Sequence, residues 1–349
     1  MLSGRASTPA TAGYAARFPT HQGVGFYRDA QSFNVSNLGI GTYLGELDEA
    51  TDRGYTEAAG AALSAGVNFI DTSLNYRNQR SERSIGTALR QAVEAGQVQR
   101  DEVVICTKAG YLVPDALGKG VITAGDVVGG MHSMAPAFLA DQLGRSRQNM
   151  GITTIDVFYL HNPETQLSYV GQDEFYSRIH QAFIFLEEAV EQGGIQFYGA
   201  ATWEGFRRPP ESPERLSLSR LAEIAREAGG DGHHFRFIQL PVNLAMPEAF
   251  GNQVDGGSVL SVAARLGITA VASASLLQAR LTRNLPNEIR AQLPGARTDA
   301  QCAIQFSRST PGITVALVGM SKPAHVRENL ELASVAPAAE EQYLGLYKS

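Results

Sequence analysis

Four side chains that together could move a proton stand at the ends of short apolar runs. They are an acid, a phenol, an ammonium and an imidazole: Asp71, Tyr76, Lys108 and His161. A phenol, with a reference pKa of about 10, holds its proton at neutral pH, so Tyr76 could act as an acid. A neighbouring Lys108 would lower that pKa, and Asp71 would keep Lys108 charged. His161 could hydrogen-bond the substrate oxygen, so the set predicts proton delivery to a carbonyl oxygen.

Each of these residues has an ordinary structural explanation when it is taken alone. Asp71 could be a turn residue and Tyr76 a surface aromatic. Lys108 could be a solvated cation and His161 an interior histidine with satisfied hydrogen bonds. Their occurrence at three consecutive predicted strand ends favours the functional interpretation.

The elements that must position these side chains alternate along the chain. Eight β-branched or aromatic runs are predicted as strands: 38–43, 67–71, 103–108, 155–161, 197–202, 235–242, 268–275 and 313–319. Between them, apolar residues recur at helical spacing, as at Ile85, Leu89 and Val93. Eight strand–helix repeats without a linker predict an α/β fold, a single (β/α)8 TIM barrel. A doubly wound open sheet is the alternative, but no helix opens directly behind the glycines of 39–47.

Three connections are longer than the rest. They cover 109–133, 203–219 and 276–298, after the third, fifth and seventh strands. This is the face where barrel enzymes carry their active sites, so the loops could form a lid or be tolerated insertions. The barrel domain is predicted over 33–349, and 1–32 is predicted as a partly flexible N-terminal extension.

Composition excludes several classes of partner and site. The net charge is −6 and no dense basic block occurs, so we expect neither nucleic acid nor a membrane as partner. Two cysteines cannot make a disulfide framework, which favours a reducing, cytoplasmic location. No His or Cys pair has metal-ligand spacing, so no metal site is predicted. We expect a monomer or weak homo-oligomer.

Longer motifs resemble those of the aldo-keto reductase family from about residue 33 to residue 335. They are LGIGTY, DTSLNY followed by RSERSIGTAL, the lysine of VVICTK, the histidine of DVFYLHNPE, YGAATW, FIQLPVN and VALVGMSKPAHVREN. The resemblance implies that Tyr76 is the general acid/base, that Lys108 and Asp71 tune it, and that His161 orients the substrate. It also implies hydride transfer from a nicotinamide, usually that of NADPH.

The nicotinamide site departs from the family pattern. A family Ser-Asn pair is replaced here by Ala201 and Thr202, while Gln239 matches the family glutamine. Ser273 stands where the family often stacks a tyrosine on the nicotinamide ring. At the phosphate end, Lys322 precedes a proline-led helix and would suit a 2′-phosphate, which favours NADP(H) over NAD(H).

The predicted contacts fall into two sets. The cofactor set is Gly41, Thr42, Tyr43, Asp71, Asn162, Thr202, Gln239, Ser273, Leu276, Gln278, Gly319, Ser321, Lys322, His325, Glu328 and Asn329. The substrate-pocket set is Tyr43, Tyr76, His161 and Trp203.

The leading functional hypothesis is an NADPH-dependent reductase of an aldehyde or ketone, or the reverse oxidation of an alcohol or aldose. An NADP(H)-binding regulatory or scaffold barrel with little turnover is the alternative, and so is a natural-product tailoring enzyme that reuses the barrel site. The reductase or the tailoring enzyme would bind a small carbonyl or alcohol substrate.

Overall fold

The N-terminal segment packs beneath the rest of the chain. The structure, a computed structural model, describes residues 1–113, 120–251 and 256–347. The segment contains helices α1 (Thr8–Ala16) and α2 (Pro19–Gln22), and an antiparallel hairpin of β1 (Tyr27–Ala30) and β2 (Phe33–Ser36). Tyr14 is fully buried, and its hydroxyl donates to the carbonyl oxygen of Leu63, 2.5 Å away. The predicted boundary between the N-terminal extension and the barrel domain, between residues 32 and 33, falls inside the β1–β2 hairpin.

Eight parallel strands form a closed barrel in chain order, with the last beside the first. They are β3 (Leu38–Gly41), β4 (Phe69–Asp71), β5 (Val104–Ala109), β6 (Ile155–His161), β7 (Ile195–Ala201), β8 (Phe235–Pro241), β9 (Thr269–Ser273) and β10 (Ile313–Gly319). Each corresponds to a predicted strand, so the (β/α)8 barrel is confirmed. Because all strands are parallel, their carboxyl ends lie at one face.

Helices surround the barrel. They are α3 (Glu49–Ser64), α4 (Arg80–Glu94), α5 (Pro136–Met150), α6 (Gln172–Glu191), α7 (Leu218–Gly229), α8 (Glu248–Gly251), α9 (Val259–Arg265), α10 (Asn287–Gln292), α11 (Asp299–Ser309), α12 (Pro323–Asn329) and α13 (Glu340–Gly345). In α4 the predicted stripe residues Ile85 and Leu89 are buried, as one apolar face at helical spacing requires.

The barrel interior is filled at its lower end and open at its upper end. Buried side chains such as Phe69, Val104 and Phe237 fill the lower layers. Below them, the Asp156 carboxylate accepts from Arg100 Nη2 at 2.9 Å and from the backbone N–H of Ala6 at 2.8 Å. The strand alternation that turns these groups inward also turns Lys108 inward near the upper end.

The long loops follow β5, β7 and β9, as predicted. Part of the first, residues 114–119, lies outside the described residues. The C-terminal tail packs through Tyr343, whose ring centroid lies 5.1 Å from that of Phe306 and 5.5 Å from that of Phe250. No helix in 1–113, 120–251 or 256–347 is long and apolar enough to span a membrane.

Candidate active site

The four predicted catalytic side chains meet at the carboxyl end of the barrel. Lys108 Nζ contacts the Asp71 carboxylate and donates to the carbonyl oxygen of Thr72 at 2.8 Å. The ammonium also lies 4.8 Å from the centre of the Tyr76 ring. The Tyr76 and His161 rings meet edge to face with centroids 5.7 Å apart. Adjacent strand ends thus bring an acid, a cation, a phenol and an imidazole into one cluster.

The protonation of the phenol is set by two opposing influences. Burial raises the pKa of Tyr76, and the Lys108 ammonium lowers it by a smaller amount. Lys108 lowers the pKa of Tyr76, as predicted. The net shift of that pKa is nevertheless upward, because desolvation of the phenolate outweighs its attraction to the ammonium. Burial lowers the pKa of Lys108, yet Asp71 and Tyr76 outweigh burial, and that pKa is raised. At neutral pH the pair is an ammonium beside a protonated phenol.

The carboxylate that holds the lysine has a second partner. Gln239 Nε2 donates to Asp71 Oδ2 at 2.9 Å. Asp71 is almost fully buried, and burial raises its pKa against the opposing effect of Lys108. Since the amide nitrogen of Gln239 is engaged, its carbonyl oxygen is the end left to accept a hydrogen bond in the cavity.

His161 is held as a neutral ring. Its Nδ1 lies 3.2 Å from the hydroxyl of Ser73. Burial lowers the pKa of His161 well below its usual range, and the nearby charge of Lys108 lowers it further. With Nδ1 placed against Ser73, Nε2 is the nitrogen available to a substrate oxygen.

A cavity of about 420 Å³ opens above these groups. It is lined by Gly41, Thr42, Tyr43, Leu44, Asp71, Asn75, Tyr76, Tyr111, His161, Asn162, Ala201, Thr202, Trp203, Gln239, Ser273, Ala274, Ser275, Leu276, Gln278, Ala279, Leu317 and Gly319. The lining includes every member of the predicted substrate-pocket set. Lys108 is buried beneath it, with only 1% of its surface exposed.

Five residues of the predicted cofactor set lie outside this cavity. They are Ser321, Lys322, His325, Glu328 and Asn329. Lys322 is exposed at the start of α12, where it caps the helix without a side-chain hydrogen bond. Asn329 is buried, with only 4% of its surface exposed. These residues follow the end of β10 and would meet only a ligand that extends beyond the cavity.

Two hydroxyl groups in the cavity wall have the character of ligand contacts. Thr202 Oγ1 and Ser275 Oγ are buried without a hydrogen-bond partner. A buried hydroxyl without a partner is costly, so a ligand that bonds both would remove that cost. Nearby, Leu277, Gln278 and Ala279 all have positive φ, between 45° and 67°. Strained backbone of this kind clusters at ligand-binding loops.

Tyr111 is a pocket residue that the sequence analysis missed. Its ring meets the His161 ring edge to face at 5.2 Å, and its hydroxyl accepts from Asn162 Nδ2 at 3.0 Å. Asn75, which accepts from the hydroxyl of Ser73 at 2.7 Å, was also missed. The position of Tyr111 in the sequence could have indicated it, since Tyr111 lies in the loop directly after β5, the strand that carries Lys108.

Trp203 lies at the rim of the cavity. It is 37% exposed, and its backbone N–H donates to Glu164 Oε1 at 2.7 Å. The same oxygen accepts from the N–H groups of Glu204 and Gly205. One buried carboxylate therefore fixes the start of the loop that carries the tryptophan.

Comparisons with known proteins find a matching family and relatives along most of the chain. The Aldo/keto reductase family model matches residues 37–208. A D-threo-aldose 1-dehydrogenase from a Pseudomonas species is 24% identical, over 79% of this chain and 82% of that protein. A Schizosaccharomyces pombe protein named as a voltage-gated potassium channel subunit beta is 24% identical, over 85% of this chain and 84% of that protein.

A solved structure shares the fold along nearly the whole chain. It is an aldo/keto reductase from Klebsiella pneumoniae in complex with NADP and acetate. The TM-score is 0.64 at 19% identity, over 91% of this chain and 93% of that one. The matching family model places the chain in the aldo/keto reductase family, and the solved structure shares its fold.

Proposed function

We propose that this protein is an NADP(H)-dependent oxidoreductase that interconverts an aldehyde or ketone and the corresponding alcohol. The observation that carries the proposal is the contact of Lys108 with both Asp71 and Tyr76 directly beneath a cavity. A scaffold has no need of a buried ammonium beside a protonated phenol. The names of the relatives, which include an aldose dehydrogenase and a reductase crystallised with NADP, support the same reaction class.

In the proposed reduction, Tyr76 is the acid. Its phenolic O–H bond breaks and the proton joins the carbonyl oxygen, while the carbonyl π bond opens and its carbon takes up a hydride. Lys108 stabilises the tyrosinate that remains, and solvent returns the proton. His161 Nε2 orients the carbonyl oxygen. In the direction of alcohol oxidation, tyrosinate at the same position accepts the hydroxyl proton.

The residues around the cavity fit a nicotinamide. When bound, the nicotinamide would supply or accept the hydride. Thr202 Oγ1 and the free oxygen of Gln239 can bond a carboxamide, and Ser275 Oγ offers a further contact. Ser273 provides no aromatic ring for stacking, so we expect weaker cofactor affinity than a stacking tyrosine would give. At the far end, the exposed Lys322 is the proposed partner of a 2′-phosphate.

The proposed substrate is a small molecule. Tyr43, Tyr111 and Trp203 supply aromatic surface at the cavity, and Asn75 and Asn162 supply amide groups. Such a lining suits a carbonyl compound with both apolar and hydroxyl groups. We further propose a cytoplasmic protein that acts as a monomer or weak homo-oligomer.

A regulatory barrel with little turnover is the second candidate. It is favoured by the similarity to a protein named as a channel subunit, and by Ala201 and Ser273 at the nicotinamide positions. Such a protein would bind NADP(H) but would fail to turn over any carbonyl in the test below.

Deuterium transfer tests the proposal. NADPH deuterated at C4 is mixed with the protein and a panel of aldehydes, ketones and aldoses, and the products are examined by mass spectrometry. The proposal expects deuterium at the former carbonyl carbon of at least one product. Tight NADPH binding without transfer to any member would favour the regulatory barrel.

A further inference from the structure

His132 is a buried histidine in the loop after β5, directly behind the proposed catalytic histidine. It is fully buried, and both of its ring nitrogens have partners. Nε2 lies 2.8 Å from the carbonyl oxygen of His161, and Nδ1 lies 3.0 Å from Gln166 Nε2. The proposed reaction gives His132 no role, yet its placement is fully specified.

The partners fix which nitrogen carries the proton. A carbonyl oxygen only accepts, so Nε2 of His132 must donate to it. Gln166 Nε2 only donates, so Nδ1 of His132 must be unprotonated and accept the hydrogen bond. The orientation of the Gln166 amide is fixed in turn, because its oxygen accepts from Arg178 Nη1 at 2.8 Å. The bonds therefore run one way, from Arg178 through Gln166 and His132 to His161.

Burial agrees with this neutral ring. It lowers the pKa of His132 to about 4. Arg178, at the outer end of these hydrogen bonds, is held at the surface by Glu174, because its Nε donates to that carboxylate at 2.7 Å. A charged His132 would turn a second N–H towards the donor of Gln166, which the arrangement cannot accommodate.

The contact lies where the chain leaves its strand. Asn162, the residue after His161, has a left-handed φ of 47°. A Cβ at Gly110 would collide with the carbonyl oxygen of His161 and lie 2.7 Å from Nε2 of His132. Glycine at that position is therefore what allows His132 to reach the carbonyl. Tyr111 lies edge-on to the His132 and His161 rings, 5.2 Å from each.

We propose that His132, as the neutral Nε2–H tautomer set by Gln166 and Arg178, is a positioning residue for the reaction. By holding the main chain at His161, it sets where the His161 ring and the Asn162 amide face the substrate. This inference rests on the proposed function, and it goes beyond that function by naming what orients the substrate-facing histidine.

Variants at position 132 test the effect on turnover. His132→Leu should lower kcat/KM by about 10- to 100-fold, because small misplacements of an orienting group are costly. The loss should fall on kcat, with NADPH affinity unchanged. His132→Gln retains a donor at nearly the same place and should recover most of the rate, while His180→Leu, a matched change elsewhere on the molecule, should leave it unchanged. Wild-type kcat in a folded His132→Leu protein would overturn the inference.

Nitrogen-15 NMR of the histidine rings tests the tautomer without relying on turnover. Wild-type His132 should be protonated at Nε2 only. Gln166→Glu replaces the donor with an acceptor, so His132 should become doubly protonated near neutral pH. A wild-type His132 protonated at Nδ1 would overturn the proposal.

NMR also distinguishes a failure of the positioning role of His132 from a failure of the proposed function. If the wild-type protein turns over no carbonyl, the proposed function fails. The positioning role is then decided by the His161 ring signals in His132→Leu. Shifted signals support it, and unchanged signals reject it.

Discussion

At the scale of single residues, the site depends on the balance between burial and one buried ammonium. Burial alone would push the pKa of Tyr76 far from neutrality, and Lys108 moderates this rise. The pKa of Tyr76 still lies above its ordinary value and that of His161 well below its own. Neither group therefore titrates near neutral pH, and the Tyr76 phenol stays protonated there.

This balance predicts opposite pH profiles for the two directions of reaction. Carbonyl reduction needs the protonated phenol, which persists below the raised pKa, so its rate should be flat through neutral pH. Alcohol oxidation needs tyrosinate, so its rate should rise about tenfold for each pH unit on the alkaline side. Steady-state rates in both directions across this range would check it. A reduction rate that falls with a midpoint near neutral pH would contradict it.

Removing the ammonium should damage both stability and activity. Lys108→Met leaves Asp71 as a buried carboxylate without its cation, at a cost of about 3–5 kcal/mol in the free energy of unfolding. Adding Asp71→Asn removes that unpaired charge and should recover much of the stability, but no turnover. Urea unfolding and kcat, measured on the single and double variants, separate the two effects. Recovery of turnover in the double variant would argue against a role for the ammonium in the reaction.

At the scale of elements, strand ends and the first residues of loops carry the site. The strands were predictable from the alternation of strand and helix periodicity. In nearly all folds with that alternation, β4, β5 and β6 lie side by side. The loop contacts were not predictable from spacing. Tyr111 reaches His161 only because the loop after β5 turns back, and Glu164 holds Trp203 through backbone groups, which leave no mark in side-chain patterns.

The loop after β7 should lose its order when its carboxylate anchor is removed. Glu164→Ala leaves three backbone N–H groups without their acceptor, which should cost about 1–3 kcal/mol in the free energy of unfolding. Substrate KM should rise several-fold as the rim loosens, and the fluorescence of Trp203, the sole tryptophan, should report the change. Glu204→Ala is the matched control, because that exposed side chain pairs with Arg208 at the surface. Equal effects of the two substitutions would refute the anchoring role.

At the scale of the whole molecule, the closed lower end of the barrel supports the open upper end. The Asp156 carboxylate joins the N-terminal segment to β5 and β7 through Ala6, Ile105 and Gln196. Sequence patterns could predict the barrel over these strands but not this closure, because a lone aspartate within an apolar strand gives no sign of its partners. Residues 1–32 also pack through other long-range contacts, such as that of the Tyr14 hydroxyl with the carbonyl oxygen of Leu63.

Loss of this carboxylate should weaken the fold and spare the chemistry. Asp156→Ala leaves the buried guanidinium of Arg100 without a neutralising carboxylate, so the free energy of unfolding should fall by about 3–5 kcal/mol. The NADPH dissociation constant and kcat of the folded fraction should stay the same. Glu49→Gln, which removes an exposed ion pair with Arg53, should change stability by less than about 0.5 kcal/mol. A stability unchanged in Asp156→Ala would contradict the closure.

The most direct test of the central claim, that Tyr76 supplies the proton, compares Tyr76→Phe with the wild type. NADPH consumption is followed in single turnovers with a carbonyl substrate that the wild-type protein reduces, and NADPH affinity is measured in parallel. We expect Tyr76→Phe to lose most of the rate while it binds NADPH as tightly as the wild type. Equal single-turnover rates in the two proteins would contradict the claim, because the proton would then come from another group.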